Sequence, residues 1–479
     1  MMLATALTII AIVTQDQSAL RAAPRETAAQ QAVLWQGDRL EIRAEKGDYL
    51  QVYDHRRERA GYVRTTQVRV QSIKPEAAPE LLSIVRFLKD APGSEALGIG
   101  YASAYLMAVP PGQLDPAAID ALGTMAERLA RRASMPRSSK ATAEAVAAHL
   151  EVAAEYGVGM TNVEREDQMQ LCYDGEAFKR VLALPATDVQ KADAALALTR
   201  HDCVPPSLTP VERFAFDNWR AELLDRVSMG NLPEVKKNRM HLRKAGVWAS
   251  LAFQLARRPE SGAAAMQAAA GRSLEELAAV NKSELMESDA WAYSEAAIRV
   301  GASRWAAVPA IPTAPVKNPG RVSVVATPGQ AGETCIHLID AKHGADKPLV
   351  SRCTYAIVWT ASVTANRDGT ALALAVQPLD TWREMWVFKQ GPDGWSVDIV
   401  PPGFDVPNLG YVEFAGWVPG NSHVLAAREV KAEGRFRLSF ETLRFADLGV
   451  DKQADKPGNL SLFYRWQDPV WKAQTVSLR

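Results

Sequence analysis

The sequence predicts a multidomain protein in three parts: a small β-barrel module, an α-helical array and an all-β C-terminal domain. Three observations predict it. Between Leu20 and Val70, short alternating apolar runs are broken by Gly-Asp and Gly turns. From Glu80 to about Val308, apolar residues recur at three- and four-residue spacing in a background rich in Ala, Leu and Glu. After the proline cluster Pro309-Ala310-Ile311-Pro312-Thr313-Ala314-Pro315 that periodicity stops, valine and threonine rise, and tryptophan becomes dense. The expected boundaries are 1–14 for a signal peptide, 19–73 for the barrel, 80–308 for the helices and 316–479 for the β domain.

At 479 residues the chain exceeds a single ordinary core. Lys+Arg and Asp+Glu are both 55, so no global field recruits nucleic acid or an anionic membrane. The one basic run, His55-Arg56-Arg57-Glu58-Arg59, is interrupted by acid where a hairpin loop is expected, and is read as a solvated turn. Leu3 to Val13 is weakly apolar, has the length of a secretory h-region and is too short for a permanent span. No Lys or Arg precedes it and no A-x-A site ends it, but polar Gln15-Asp16-Gln17-Ser18 follows at once. Export to the periplasm or medium is the expectation, with no transmembrane helix in the mature chain. An uncleaved anchor and a cytoplasmic N-terminus are the alternatives.

The N-terminal module contains Leu20-Arg21-Ala22-Ala23-Pro24, then Ala32-Val33-Leu34-Trp35 and Gln36-Gly37-Asp38, then Lys46-Gly47-Asp48-Tyr49-Leu50-Gln51-Val52-Tyr53 and Ala60-Gly61-Tyr62-Val63. This order resembles the bacterial SH3-like (SH3b) domain: an arginine-proline opening, a Gly turn before strand two, a Gly-aromatic-x-x-Val strand and a final Gly-aromatic-Val. Tyr49 and Tyr62 stand where that family commonly carries tryptophan. The resemblance covers about a tenth of the chain and implies binding, not a reaction. Trp35, Tyr49, Tyr53 and Tyr62 are the candidate ligand-binding groove for an extended peptide, half of them being expected in the barrel core.

Helix signals are frequent in the middle. Asp115-Pro116 reads as an N-cap with proline at the first helical position, and Lys140 to Tyr156 as a helix ended by Gly157 and Gly159. Thr209-Pro210-Val211-Glu212 and Ser273-Leu274-Glu275-Glu276 have capping-box patterns. Helices are also expected from Pro233 to about Arg257 and from Asp289 to Val300, ending at Gly301. No fixed repeat period is present, which predicts an irregular array of helical hairpins.

Seven of the twelve tryptophans lie beyond Pro315. Ten strands are expected there, the last from Leu460 to Trp466. Asn366-Arg367-Asp368-Gly369-Thr370 followed by Ala371-Leu372-Ala373-Leu374-Ala375 resembles the Ser-Pro-Asp-Gly turn and strand of β-propeller blades in periplasmic assembly proteins. Val418-Pro419-Gly420-Asn421-Ser422 before His423-Val424-Leu425-Ala426 repeats it in altered form, about 50 residues on, a plausible blade period. The length suffices for about three blades, so a propeller-like sheet or a sandwich is expected.

Cys172, Cys203, Cys335 and Cys353 are even in number and form two local pairs, which suits disulfides in an oxidising compartment. Cys172 and Cys203 are expected at one end of the helical layer, where a bridge would contribute about 3 to 4 kcal/mol. Cys335 and Cys353 would staple two strands. The competing chemistry is sparse. Cys203 beside His201 and Asp202 is the one candidate nucleophile, but it precedes Val204-Pro205-Pro206 at a helix end instead of opening a helix. Cys335, His337, His343 and Cys353 mix zinc-compatible donors without a zinc spacing. Gly98-Ile99-Gly100 reads as close helix packing. The chain carries no H-E-x-x-H, G-x-S-x-G or P-loop. The C-terminal tryptophans are read as packing before a sugar platform. The expectation is therefore an exported, non-enzymatic envelope protein, without cofactor or metal. It would bind a peptide, peptidoglycan or an envelope protein through the SH3-like part and scaffold contacts through the rest. The alternative is a cell-wall hydrolase with a carboxylate pair that one sequence does not reveal.

Overall fold

The computed structural model describes residues 9–136, 139–165, 168–258, 260, 262–309, 321–403 and 408–478. The chain divides into two compact units. One runs to Ser207 and includes Val227–Asn231; the other comprises Leu208–Arg226 and the chain from Leu232 onward. The helices predicted as one array are shared between them.

The first unit opens with strands β1 (Ile9–Val13), β2 (Ser18–Arg21), β3 (Gln30–Leu34), β4 (Arg39–Lys46), β5 (Tyr49–Asp54), β6 (Arg59–Arg64) and β7 (Val68–Ser72). They form one antiparallel sheet in the order β3-β2-β6-β5-β4-β1-β7. This corrects two expectations. The sheet does not close into a barrel, because β3 and β7 are its unpaired edges. And residues 9–13, read as the end of a secretory segment, are a strand between β4 and β7; residues 1–8 lie outside the described residues. The cause is burial on both faces. Ala11 and Val13 point into the sheet's core with Leu20, Leu34, Leu40, Leu50, Val52 and Val63. Ile10 and Ile12 point the other way, into the helical core. A strand covered on both sides needs no polar alternation, so it reads as a continuous apolar run, as an h-region does.

Helices α1 (Ala78–Lys89), α2 (Glu95–Ala108), α3 (Pro116–Ser134) and α4 (Lys140–Glu155) follow. Asp115 caps α3 as predicted, its side chain accepting from the Ala117 N–H. Gly157 ends α4 with φ near +78°. Next comes a hairpin that the helical periodicity concealed, β8 (Met160–Arg165) and β9 (Gln168–Tyr173), then α5 (Glu176–Ala183) and α6 (Asp188–Leu198). Cys172 therefore sits on a strand instead of a helix end, and Cys203 lies just past α6. The two are bonded, with Cα atoms 5.9 Å apart.

In the second unit, α7 (Pro210–Asp225) carries the predicted capping box at Thr209 and Glu212. It is followed by α8 (Glu234–Ala256), α9 (Ala263–Ala278) and α10 (Ala290–Ser303). Ser273 is not a cap; it is buried inside α9. Gly301 does not end α10 either. A Cβ there would lie 2.3 Å from the Tyr411 ring, so glycine is present for close packing.

The β domain has β10 (Ser323–Pro328), β11 (Thr334–Ile339) and β12 (Val350–Thr354) in one sheet, then β13 (Ile357–Ala365), β14 (Ala371–Leu379), β15 (Trp382–Gly391), β16 (Gly394–Val400), β17 (Gly410–Trp417), β18 (His423–Ala432), β19 (Arg435–Arg444) and β20 (Val450–Ala454). The last eight form two antiparallel meanders, β13–β16 and β17–β20, joined by a two-residue parallel contact between β15 and β17. The β10–β12 sheet packs on the first meander through Val324, Ile336, Leu374 and Phe388. The first packs on the second through Val387, Val412 and Val424. The chain closes with α11 (Ser461–Trp466) and α12 (Pro469–Leu478), which cover the second meander through Phe463 and Trp471. The expected strand over Leu460–Trp466 is thus a helix. Phe463 within it and Leu460 just before it are buried in the core, at the three-residue spacing of a helical turn, and Leu462 packs against them half-buried.

The two blade-like motifs occupy the same place in the two meanders, the turn before the second strand, and they touch. Asn366 Nδ2 donates to Asn421 Oδ1 at 2.8 Å, and Asn421 Nδ2 donates to Thr370 Oγ1 at 2.9 Å. Asn366 Oδ1 also accepts from the Thr370 and Ala371 N–H groups.

Candidate functional site

Strand pairing decides where the predicted aromatic groove lies. Leu50 opposes Val63 and Ile42 opposes Val52, all core residues; on the alternate positions Tyr49 opposes Arg64, Gln51 opposes Tyr62, and Glu41 opposes Tyr53. Opposed residues share a face, so Tyr49, Tyr53 and Tyr62 stand together on the face away from the sheet core. None of the four aromatic residues belongs to that core cluster.

Charged groups frame the tyrosines. Arg64 lies 5.7 Å from the Tyr49 ring and its Nε donates to Tyr49 Oη at 3.1 Å. Arg43 lies 5.6 Å from the Tyr53 ring, while His55 meets the same ring edge-on at 4.9 Å. Glu41 holds both, at 2.8 Å to Arg43 Nε and 2.7 Å to His55 Nε2. Tyr49 is buried beneath this cover, whereas Tyr53 and Tyr62 are half-exposed. The arrangement sets aromatic faces with cations beside them on one face of the sheet.

Trp35 is elsewhere. It meets His149 of α4 edge-on, with ring centroids 6.3 Å apart. His149 is 2% exposed and bridges the sheet to the helices. Arg132 can only donate to Nδ1, so Nε2 carries the hydrogen given to Asp16 Oδ1 at 2.8 Å. Arg132 also binds Glu95, which accepts from Arg128 Nε at 2.6 Å and from the Gly93 N–H at 3.0 Å. Burial opposes the Glu95 charge, and the Gly93 N–H with the two arginines more than offsets it, so its pKa is lowered. The Asp-His pair resembles half of a triad, but both its ends are consumed by structural partners.

A second site was not legible in the sequence. In the β domain a cavity of about 350 Å³ is lined by Arg304, Ser362, Met385, Glu413, Phe414 and Trp471, among others. At its edge Arg304 donates to both Glu413 oxygens, at 2.7 and 2.8 Å, and Arg383 donates to one of them from within the sheet. Arg383 is fully buried, with its guanidinium 5.1 Å from the Tyr411 ring. Burial works against the Glu413 carboxylate, but Arg304 and Arg383 prevail and hold its pKa down at about 2. Burial lowers the Arg383 pKa, and Glu413 compensates only in part. Both groups stay ionised at neutral pH. The available signal was a charged residue inside an apolar strand run, Arg383 in Trp382-Arg383-Glu384-Met385-Trp386 and Glu413 in Tyr411-Val412-Glu413-Phe414. Pairing over 30 residues of separation is not visible in a single sequence.

The zinc-compatible residues do not converge. Cys335 and Cys353 are bonded to each other, His337 lies between Thr327 and Ser351, and His343 binds Asp340. Of the seven C-terminal tryptophans, Trp359, Trp382, Trp386 and Trp471 are buried and serve packing, whereas Trp395 and Trp417 are half-buried and Trp466 is exposed. Both disulfides fit a secreted or periplasmic protein. No helix among the described residues is long and apolar enough to cross a membrane. No protein-family model, curated protein or solved structure matches this chain.

Proposed function

We propose that the chain is an exported, non-enzymatic binding protein of the cell envelope. Its SH3-like N-terminal sheet engages a peptide or cell-wall component through the tyrosine–arginine face, and the helices and propeller-like β domain scaffold further contacts. The observation that carries this is the grouping of Tyr49, Tyr53 and Tyr62 on one outward face beside Arg43 and Arg64. The absence of a recognised catalytic motif in the sequence supports binding over hydrolysis.

Co-sedimentation with purified cell-wall sacculi tests it, with Tyr53→Ala/Tyr62→Ala as the control. Both tyrosines are off the core, so the variant keeps its fold. Wild type should pellet and the variant should pellet about tenfold less, as expected when two aromatic contacts are lost. Release of soluble wall fragments would refute the non-enzymatic assignment. Absence of pelleting by the wild type would sink the wall ligand.

A further inference from the structure

The two disulfides have opposite surroundings. Cys172 is 2% exposed, and its bridge ties a strand to the segment beyond α6 inside the first unit. Cys335 and Cys353 instead face each other directly across β11 and β12. β12 is the edge of its sheet, paired on one side only, and Cys353 is exposed. The Glu333 carboxylate has an oxygen within 4.8 Å of both sulfurs. On the inner side of β12, the Arg352 guanidinium lies 5.0 Å from the ring of Trp386, which is only 3% exposed.

We propose that Cys335–Cys353 is a thiol–disulfide exchange site, opened in the folded protein by a dithiol reductant, and that opening it loosens edge strand β12 over Trp386. A dithiol of the small-molecule or protein Cys-x-x-Cys class supplies the electrons. Its thiolate bonds to the exposed Cys353 sulfur. The S–S bond breaks, and its electron pair leaves with the Cys335 sulfur, which takes a proton from water. The second thiol of the reductant, deprotonated, then attacks the mixed disulfide and expels Cys353, which is protonated in turn. The bridge gains two electrons and two protons, and the reductant becomes a disulfide. An accessible sulfur sets the rate of the first step; Cys353 is exposed, whereas Cys172 is buried and Cys203 half-buried, so this bridge reacts faster than the other. Glu333 repels incoming anions, so it disfavours reductants with additional negative charge. Once the staple is gone, β12 keeps only its ladder to β11 and its inner contacts, and the Arg352 cover over Trp386 becomes mobile.

The test is limited reduction of the full chain without denaturant, followed by alkylation and mass mapping. Dithiothreitol should open Cys335–Cys353 to alkylation at least about tenfold faster than Cys172–Cys203, in line with the control of exchange by access. Tryptophan fluorescence should change with the same time course, and Trp386→Phe should abolish most of that change. Glu333→Gln should accelerate exchange with 2-mercaptoethanesulfonate, whose thiolate carries two negative charges, more than with dithiothreitol. Equal labelling of the two bridges, or labelling of Cys335 and Cys353 only after unfolding, overturns the proposal. An unreactive Cys335→Ser/Cys353→Ser variant that retains the fold shows that the signal comes from this bridge; a fluorescence change persisting in it would remove the link to β12.

Discussion

Glu413→Gln isolates the buried ion cluster, because glutamine keeps the shape and removes the charge. In the wild type the carboxylate accepts from Arg304 twice and from Arg383 once. Arg383 is fully buried, and among the described residues its Nε and Nη1 have no acceptor and Glu413 is its one counter-charge. Removing one partner of such a cluster leaves an uncompensated buried cation, at a cost of about 3 to 5 kcal/mol. An independent figure comes from linkage. The pKa is about 2 against an ordinary 4.5, and at about 1.4 kcal/mol per unit the carboxylate contributes about 3 kcal/mol. The lowered pKa of Arg383 marks a desolvation cost that offsets part of this. The assay is urea unfolding at pH 7 followed by tryptophan fluorescence, and the midpoint should fall by about 1 to 2 M. The sign with pH follows from the depressed pKa. The contribution is full above about pH 4.5 and is lost as the pH falls towards about 2, so wild type and variant should converge over that window. A midpoint unchanged at pH 7, or a difference that grows on acidification, would falsify the assigned role of the cluster. Glu433→Gln, which removes the exposed Arg437 pair, should leave the midpoint unchanged.

Two further outcomes follow from the first unit. Deleting residues 1–13 removes a strand buried in two cores, so the cooperative melt of this unit should disappear; a melting temperature within about 2 °C of wild type would refute the placement of β1. Gly37→Ala places a Cβ 2.3 Å from the Ala96 carbonyl oxygen at φ +91°, and should cost about 2 to 4 kcal/mol by chemical denaturation. Gly47→Ala, at φ +60° with open space around it, should cost about 1 kcal/mol. Equal losses in the two would remove the close approach of the sheet turn to α2.

Elements that announce themselves locally were legible. The Thr209–Glu212 box, the Asp115-Pro116 start and the Gly157 stop all act within a few residues, and each stands where the pattern put it. The two disulfide pairs were legible for the same reason, since each closes a short stretch of chain. What failed depends on distant partners. Ile9–Val13 reads as a secretory core until β4, β7 and the helices are seen to cover it. Leu460–Trp466 has strand-like composition but becomes a helix because only one of its faces meets β17 and β18. Met160–Tyr173 is too short a departure to interrupt the helical pattern around it. At the candidate site, three of the four aromatic residues share a face because alternation along a strand is local information. Trp35 parts from them because its neighbour, His149, is supplied by α4. Arg304, Arg383 and Glu413 were invisible because their meaning lies wholly in their mutual contact.

The placement of β1 has a consequence for how the polypeptide is made. It is made before the elements that bury it: its partner strand β7 ends at Ser72 and the helices that cover its other side extend to Ser134. During synthesis five strongly apolar residues therefore wait, with β4 alone as an early pairing partner and the helical side uncovered, while more than a hundred others emerge. Such a segment invites capture by holdase chaperones and non-native pairing in the interval. The sheet and the helical core of the first unit then close around a strand made before most of their residues. Slow or stalled translation between Ser72 and Ser134 should penalise yield far more than the same delay imposed within the β domain.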